Sequence, residues 1–264
     1  MTLEPELIPI LQRLNEYFRS KAYRFILIGA NVPLILIDLR EADGRGYDIR
    51  PTRDVDFVVE VDDWRDYEVL RDELAEIGFQ RREGHPEHRF FMNNFMADIL
   101  PYGDQISIDG FIEWPKTGRR MNMAGFDKLF QYAQEVSIAG DLTLPVIPLS
   151  LLVFTKIVAY TDRKSSRDLI DILYVLEHFE EITVSERRFE IPDKPDLNYE
   201  ELGAYLLGMD LAKLLSVDEI QFIISFLENY RDEFAEPVQR LSWECRKKAS
   251  DIAGLFNAFG EGIG

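Results

Sequence analysis

Two aspartates at alternate positions of an apolar run constrain this chain more than any other feature of its sequence. The run Asp54-Val-Asp56-Phe-Val-Val is rich in β-branched and aromatic residues, which predicts a β-strand. Alternate side chains of a strand share a face, so Asp54 and Asp56 project together while the residues between and after them point into a core. Two adjacent carboxylates repel each other unless a cation lies between them. The run therefore predicts a strand with one buried face and a divalent-cation site on the other.

A third acid, Asp98, strengthens the case for a metal site. It lies in Phe95-Met-Ala-Asp-Ile-Leu, flanked by apolar residues on a strand expected to neighbour the first. A charged residue is costly there unless it is paired or bound to metal. Magnesium prefers oxygen ligands and usually takes one or two carboxylates together with substrate phosphates. Two alternate acids by themselves more often mark a solvated strand face, and Asp98 by itself could be an acid at a sheet edge. The three acids together favour metal ligation.

The first part of the chain is predicted to alternate strands and helices, which indicates an α+β (α/β) fold with a mixed sheet flanked by helices. The Asn93-Asn94 pair suits a two-residue hairpin turn, because asparagine tolerates positive φ. The predicted elements are helix Glu6–Phe18, strand Tyr23–Ile28, buried helix Ala30–Leu39, loop Glu41–Pro51, strand Val55–Val61, helix Trp64–Ile77, strands Arg89–Met92 and Phe95–Leu100, a further strand within Gln105–Trp114 and a β region at Val136–Val146.

From Pro148 onward the apolar period becomes helical. Helices are predicted at Leu149–Tyr160 and Arg167–Phe179, and an acidic, proline-marked stretch follows them. A helical tail runs from Tyr199, and within it Ser216-Val-Asp-Glu219 is a capping-box signature. The predicted domains are therefore 1–180, which carries the sheet, and a helical C-terminal region at 181–264.

Several polar residues outside the acid triplet are candidates for binding phosphate. Gly29 lies between a predicted strand and a helix, and the N–H groups of such a turn suit an anion. Lys156 and Arg163 lie two turns apart on one helix face, where both can point at a polyphosphate. The alternative for Lys156 and Arg163 is that they are simply solvated, as basic residues on helices usually are. Asp171 lies one turn after Asp168 and could share a functional role with it or have an ordinary capping or surface role.

Composition limits where the protein acts and what it binds. The net charge of −18 opposes broad, nonspecific binding of nucleic acid but permits a local basic pocket. We expect a cytoplasmic protein without a membrane partner, since no secretory signal or membrane-length apolar run is present. Cys245 has no second cysteine to pair with and no ligand partner at metal spacing, so it is interpreted as a bystander.

Taken in order, these motifs resemble the AbiEii-type branch of the DNA polymerase β-like nucleotidyltransferases, which includes toxins of bacterial toxin–antitoxin systems. The resemblance covers roughly residues 5–180. It rests on four segments, Phe25-Ile-Leu-Ile-Gly-Ala-Asn31, Arg50-Pro-Thr-Arg-Asp54-Val-Asp56-Phe, Met96-Ala-Asp-Ile-Leu, and Phe154-Thr-Lys156 with its continuation through Arg163 and Asp168 to Asp171.

The resemblance implies a polymerase β-like core and a role for each matching residue. It implies that Asp54, Asp56 and Asp98 are the catalytic carboxylates and bind Mg²⁺ or Mn²⁺. Nucleoside triphosphate contacts are expected from Gly29, Ala30, Arg53, Lys156, Arg163 and Asp168. The usual Gly-Gly or Gly-Ser pair of the family is Gly29-Ala30 here, so a hydroxyl or second glycine that would touch phosphate is missing.

The expected activity is metal-dependent transfer of a nucleotide from a nucleoside triphosphate such as ATP onto an acceptor. The resemblance implies RNA, such as a tRNA end, or a protein hydroxyl as acceptor, and a cognate antitoxin as partner. Two alternatives remain open at this point. One is a catalytically silent binding protein that keeps the fold, and the other is a small-molecule nucleotidyltransferase of the kind that modifies antibiotics.

Overall fold

The computed structural model describes residues 4–38, 53–191 and 197–264. Contacts among Cα atoms divide the chain into two compact units, Met1–Pro148 and Leu149–Gly264. The predicted domain boundary after residue 180 falls inside the helix Ser166–Arg187 and stays a prediction. The predicted loop Glu41–Pro51 lies outside the described residues. No helix in the described ranges is long and apolar enough to cross a membrane.

A mixed sheet dominates the first unit. The strands are β1 (Phe25–Ile28), β2 (Asp54–Glu60), β3 (Arg89–Met92), β4 (Phe95–Tyr102), β5 (Ser107–Ile108), β6 (Phe111–Glu113), β7 (Arg120–Asn122), β8 (Gln134–Ala139) and β9 (Leu142–Val146). Within the described residues, one six-stranded sheet has the order β3-β4-β2-β1-β9-β8. The pairs β2–β4 and β1–β9 are parallel, and β1–β2, β3–β4 and β8–β9 are antiparallel. The predicted α+β class with a mixed sheet is confirmed.

Helices cover this sheet. They are α1 (Ile8–Ser20), the short α2 (Asn31–Pro33) with a π-helical continuation over Leu34–Asp38, α3 (Trp64–Glu76) and α4 (Phe126–Tyr132). In α1 the apolar side chains recur at helical spacing and are buried. The ring of Phe18 lies 4.9 Å from that of Phe25 and 5.7 Å from that of Phe57. Helix α1 therefore packs on the face of β2 that carries Phe57, which leaves Asp54 and Asp56 on the other face.

The second unit is helical in its described residues. Its helices are α5 (Leu149–Arg163), α6 (Ser166–Arg187), α7 (Leu202–Ala212), α8 (Val217–Leu227), α9 (Glu236–Cys245) and α10 (Ala249–Ile263). The predicted capping box is confirmed, since the Ser216 hydroxyl accepts a hydrogen bond from the Glu219 N–H while the Glu219 carboxylate accepts one from the Ser216 N–H. This reciprocal pair satisfies two donors that the first turn of α8 would otherwise leave without partners.

Two predicted features take a more specific form in the structure. The predicted strand within Gln105–Trp114 is present as two short strands, β5 and β6, which pair with β7 in a small separate sheet. Helix α6 does not end at Phe179 but continues to Arg187. His178 is therefore a buried residue within the helix, with its ring 4.4 Å from that of Tyr174.

Candidate active site

The three predicted carboxylates lie on neighbouring strands. In β2, Asp54 and Asp56 are half-buried and alternate with fully buried apolar residues, as the strand period requires. Strand β4 runs parallel to β2 with Asp56 and Asp98 directly paired in register. Paired residues on adjacent strands present their side chains to the same face of the sheet. The sheet thus places Asp54, Asp56 and Asp98 on one face, away from α1.

Gly29 lies directly beneath one of these carboxylates. It follows β1, whose last residue Ile28 pairs with Asp56, and its backbone has a φ of +83°. A Cβ atom at position 29 would come within 2.7 Å of Cγ and 2.9 Å of Cβ of Asp56 and would overlap its carboxylate oxygen. Glycine is required here both for the left-handed backbone conformation and for the space that the Asp56 side chain fills.

Asn31 ties this turn to β2, and sequence reasoning missed it. The side chain is 1% exposed, and its amide nitrogen donates a hydrogen bond of 2.5 Å to the backbone carbonyl of Asp54. Its Oδ1 atom has no hydrogen-bond partner among the residues that the structure describes. The signal in the sequence was an asparagine inside an otherwise apolar predicted helix, because a buried amide needs partners.

The Asp98 carboxylate is held by an arginine side chain that the sequence analysis did not single out. Arg89 on β3 donates from Nε to Oδ1 at 2.8 Å and from Nη2 to Oδ2 at 2.7 Å, and the two residues are paired in register. The Asp98 side chain is 14% exposed, so this fork is shielded from solvent. Hydrogen bonding to Asp98 raises the pKa of Arg89, and the charges of Asp98, Asp54 and Asp56 add to the effect. The predicted turn at Asn93-Asn94 sets the register of the hairpin and pairs Arg89 with Asp98, so this contact could have been predicted from the sequence.

His88 is the second neighbour of Asp98. Its Nε2 lies 3.9 Å from Oδ2 of Asp98, and its ring centroid lies 5.0 Å from that of Trp114. Burial lowers the pKa of His88, although the Asp98 charge opposes this shift. The ring is therefore neutral at pH 7. His85, three residues earlier, is exposed, whereas His88 is largely buried.

The chemistry of these donors fits a hard divalent cation. Carboxylate oxygens are the ligands that magnesium and manganese prefer. Because Gly29 has no Cβ, there is room beside it for the Asp56 carboxylate. As the side chains stand, no three His, Cys, Asp or Glu residues of the described part are grouped closely enough to hold a metal ion. The third carboxylate, that of Asp98, is instead paired with Arg89.

In the second unit, the candidate triphosphate residues form a compact set of ion pairs. The Lys156 ammonium on α5 donates to Oδ2 of Asp171 on α6 at 2.6 Å and lies 3.6 Å from Oδ1 of Asp168. Arg163 donates from Nε to Oδ2 of Asp168 at 2.7 Å. Asp168 is fully buried, so its negative charge needs the positive charges of both Lys156 and Arg163. The Arg163 side chain itself is 61% exposed. Three of the six predicted residues, Lys156, Arg163 and Asp168, are thus brought together around α5 and α6, whereas Gly29, Ala30 and Arg53 lie in the first unit.

The remaining candidates, Arg53 and Ala30, are the sequence neighbours of Asp54 and Gly29. The backbone carbonyl of Arg53 accepts a hydrogen bond from the Met96 N–H at 3.0 Å, which extends the β2–β4 pairing by one residue. Its guanidinium Nε lies 3.6 Å from Glu4 and is more than half exposed. Ala30 occupies the N-cap position of α2, after the turn at Gly29.

The mixed sheet and the two alternate acids on β2 agree with the resemblance to nucleotidyltransferases, and a family match identifies the class. A family model described as nucleotidyl transferase AbiEii toxin, type IV toxin–antitoxin system, matches residues 45–204, which is more than half of the chain. The chain belongs to this family. The matched residues include Asp54, Asp56, Asp98 and the Lys156–Asp171 segment, whereas Gly29 and Ala30 precede them.

Other comparisons give a distant structural neighbour. The chain is similar to the crystal structure of an antigenic nucleotidyltransferase-like protein from Paracoccidioides brasiliensis, with 18% identity, a TM-score of 0.44, and coverage of 81% of this chain and 92% of that chain. No curated protein matches the sequence.

Proposed function

We propose that this nucleotidyltransferase uses Mg²⁺ or Mn²⁺ and a nucleoside triphosphate, ATP among the candidates, and moves the nucleotide onto an RNA, such as a tRNA end, or a protein hydroxyl. In this proposal it acts in the cytosol as the toxin of a toxin–antitoxin pair, with a cognate antitoxin as its partner. The family supports the class of reaction and the toxin–antitoxin context.

One observation carries the proposal for the metal. Asp54 and Asp56 share a strand face with Asp98, which is paired in register with Asp56 on the next strand. Adjacent carboxylates on a half-buried face, such as Asp54 and Asp56, repel each other and lose solvation, and a divalent cation offsets both costs. Asp98 lies on the same face and is compensated by Arg89. An ordinary solvated strand face would not need a glycine at position 29 to make space for one of its acids.

The reaction itself needs few groups. The acceptor hydroxyl releases its proton to solvent as its oxygen bonds to the α-phosphorus of the triphosphate, the bond from that phosphorus to the bridging oxygen breaks, and pyrophosphate leaves with that oxygen. Asp54, Asp56 and Asp98 would hold the divalent cations, with Asp98 nearest the acceptor side. When bound, such cations stabilise the charge on the attacking and leaving oxygens. No covalent intermediate on the protein is required.

The basic residues of the set are assigned to the triphosphate by the family resemblance. Lys156 and Arg163 would neutralise the β- and γ-phosphates, with Asp168 fixing both side chains, as it does through its ion pairs with them. Arg53 would add a further positive charge beside β2. The turn at Gly29 and Ala30 would face the phosphates with backbone N–H groups, in place of the family's second glycine or serine.

Replacement of one carboxylate tests the proposal. We expect Asp56→Asn to abolish nucleotide transfer, and any growth toxicity on expression, because the amide keeps the shape of the side chain but removes the charge that binds the cation. The measurement follows each α-labelled nucleoside triphosphate onto total RNA and onto protein, with MgCl₂, with MnCl₂ and with EDTA. Label on RNA identifies an RNA acceptor, and label on protein identifies a protein hydroxyl.

Glu60→Gln is the matched control. Glu60 ends the same strand and is paired with Arg24 at 2.8 Å, so its loss removes an acid from β2 without touching the cluster. We expect this variant to keep its transfer activity. Transfer that persists in Asp56→Asn, or that proceeds equally in EDTA, would contradict the proposed site. A wild-type protein that is inactive on both acceptor pools with every nucleotide would support the silent binding protein instead.

A further inference from the structure

Arg89 contacts Asp98 with the geometry of a strong ion pair. Its guanidinium donates to both carboxylate oxygens, at 2.8 Å and 2.7 Å, and the Arg89 side chain is 29% exposed. Such a fork aligns two parallel hydrogen bonds and fixes the orientation of the carboxylate. The fork with Arg89 therefore orients the Asp98 carboxylate.

The order of the strands shows what this contact opposes. Strand β4 lies between β3 and β2 in the sheet, so Asp98 has Arg89 in register on one side and Asp56 in register on the other. A carboxylate that is forked with Arg89 is directed toward β3. A carboxylate that shares a cation with Asp56 must turn toward β2.

We propose that Arg89 is a positioning residue that withholds Asp98 from the divalent cations, so that the third carboxylate joins them only when its fork with Arg89 is loosened. This inference rests on the metal site of the proposed function. In this inference Asp54 and Asp56 form the first cation site, and Arg89 weakens the contribution of Asp98.

Charge and hydrogen-bonding capacity give the inference its direction. Each oxygen of Asp98 spends one acceptor position on Arg89, and the guanidinium charge offsets that of the carboxylate. A cation therefore meets a neutral pair at β3 and β4 instead of a third negative charge.

The test measures binding of Mn²⁺ alone by calorimetry, without nucleotide. We expect Arg89→Met to bind Mn²⁺ about tenfold more tightly than the wild type, because the Asp98 carboxylate is released. Arg89→Lys keeps the charge but loses the planar fork, and it should bind about threefold more tightly. Thermal melts in EDTA establish that each variant is folded, and if Arg89→Met does not fold, Arg89→Lys decides the outcome.

A double-variant cycle separates positioning from a simple change of charge. If Arg89 acts through Asp98, adding Arg89→Met to an Asp98→Asn protein leaves Mn²⁺ affinity unchanged. If the missing positive charge were the cause, affinity would rise equally in both backgrounds, and the inference would be overturned. It is also overturned if neither Arg89 variant changes the affinity.

Failure of the underlying site gives a different result. Mn²⁺ binding that survives Asp56→Asn at full strength would overturn the metal site, and this inference with it. Binding that is lost in Asp56→Asn but is indifferent to Arg89 would overturn only the role of Arg89.

Discussion

At the scale of single residues, the candidate site depends on Gly29 as much as on the acids. Its φ of +83° lies in the region that side chains other than glycine rarely adopt, and its missing side chain gives Asp56 the space it occupies. The family's second glycine or serine is replaced by Ala30, whose φ of −70° suits an alanine. The first glycine position is thus fixed by sterics within this chain, and the second is not.

Gly29→Ala should therefore cost more than backbone strain alone. The left-handed conformation costs an alanine roughly 1–2 kcal/mol, and displacing Asp56 adds about 1–3 kcal/mol of overpacking. We expect a loss of unfolding free energy of about 2–5 kcal/mol, measured by urea denaturation, together with loss of transfer. Gly84→Ala is the control, because Gly84 has a φ of +80° and nothing within 4 Å of its added Cβ. Equal losses in the two variants would show that Asp56 does not need the space at Gly29.

At the scale of elements, the sequence predicted most of the strands and helices but not the contacts between them. Strand β2 and the hairpin of β3 and β4 follow from local patterns, and Asn93 turns with a φ of +55° as expected. The small sheet of β5, β6 and β7 was missed because its strands are only two or three residues long. Its pairing is local, and the signal for it was the Asp109-Gly110 pair that turns between β5 and β6 with both residues at positive φ. The end of α6 was missed because an acidic, polar stretch can continue a helix when no glycine or proline interrupts it.

The candidate site shows the same division. Alternation along β2 predicted that Asp54 and Asp56 share a face, whereas the partner of Asp98 depends on the register of β3 and was not anticipated. Likewise, helical spacing predicted that Lys156 and Arg163 share a face. It could not predict that Asp168 and Asp171 on the next helix pair with them, because the packing of α5 on α6 decides that.

These pairs between α5 and α6 change what a Lys156 variant reports. Lys156 is 13% exposed and serves two acids, so Lys156→Ala leaves Asp171 and the buried Asp168 with less compensation. We expect a loss of about 1–3 kcal/mol in the free energy of unfolding, in addition to weaker binding of nucleoside triphosphate. The measurements are urea denaturation and calorimetry with nucleotide and MgCl₂.

The double variant Lys156→Ala/Asp171→Ala separates the two effects. Removing Asp171 together with its partner should restore part of the lost stability, since no unpaired carboxylate remains at that position. Nucleotide affinity should stay low. If affinity recovers along with stability, Lys156 serves the structure of the second unit and not the triphosphate.

At the scale of the whole molecule, charge is the property that local patterns do not convey. The chain carries 48 Asp and Glu against 30 Lys and Arg, for a net charge of −18. The described acids of the candidate site add to this repulsion on one half-buried face. A folded state with so much charge of one sign is destabilised by self-repulsion, and dissolved salt screens that repulsion.

Thermal stability should accordingly rise with ionic strength. The screening length falls from about 30 Å at 0.01 M salt to about 8 Å at 0.15 M, so distant carboxylates stop interacting over this range. We expect the melting temperature in EDTA to increase between these two concentrations of NaCl, and to increase equally with choline chloride, whose cation is too large for a carboxylate cluster. Asp56→Asn should show nearly the same increase, because one charge of many is removed. A rise confined to NaCl and absent from Asp56→Asn would instead mean that sodium occupies the acid cluster, and a fall with either salt would show that ion pairs such as Arg89–Asp98 outweigh the net charge.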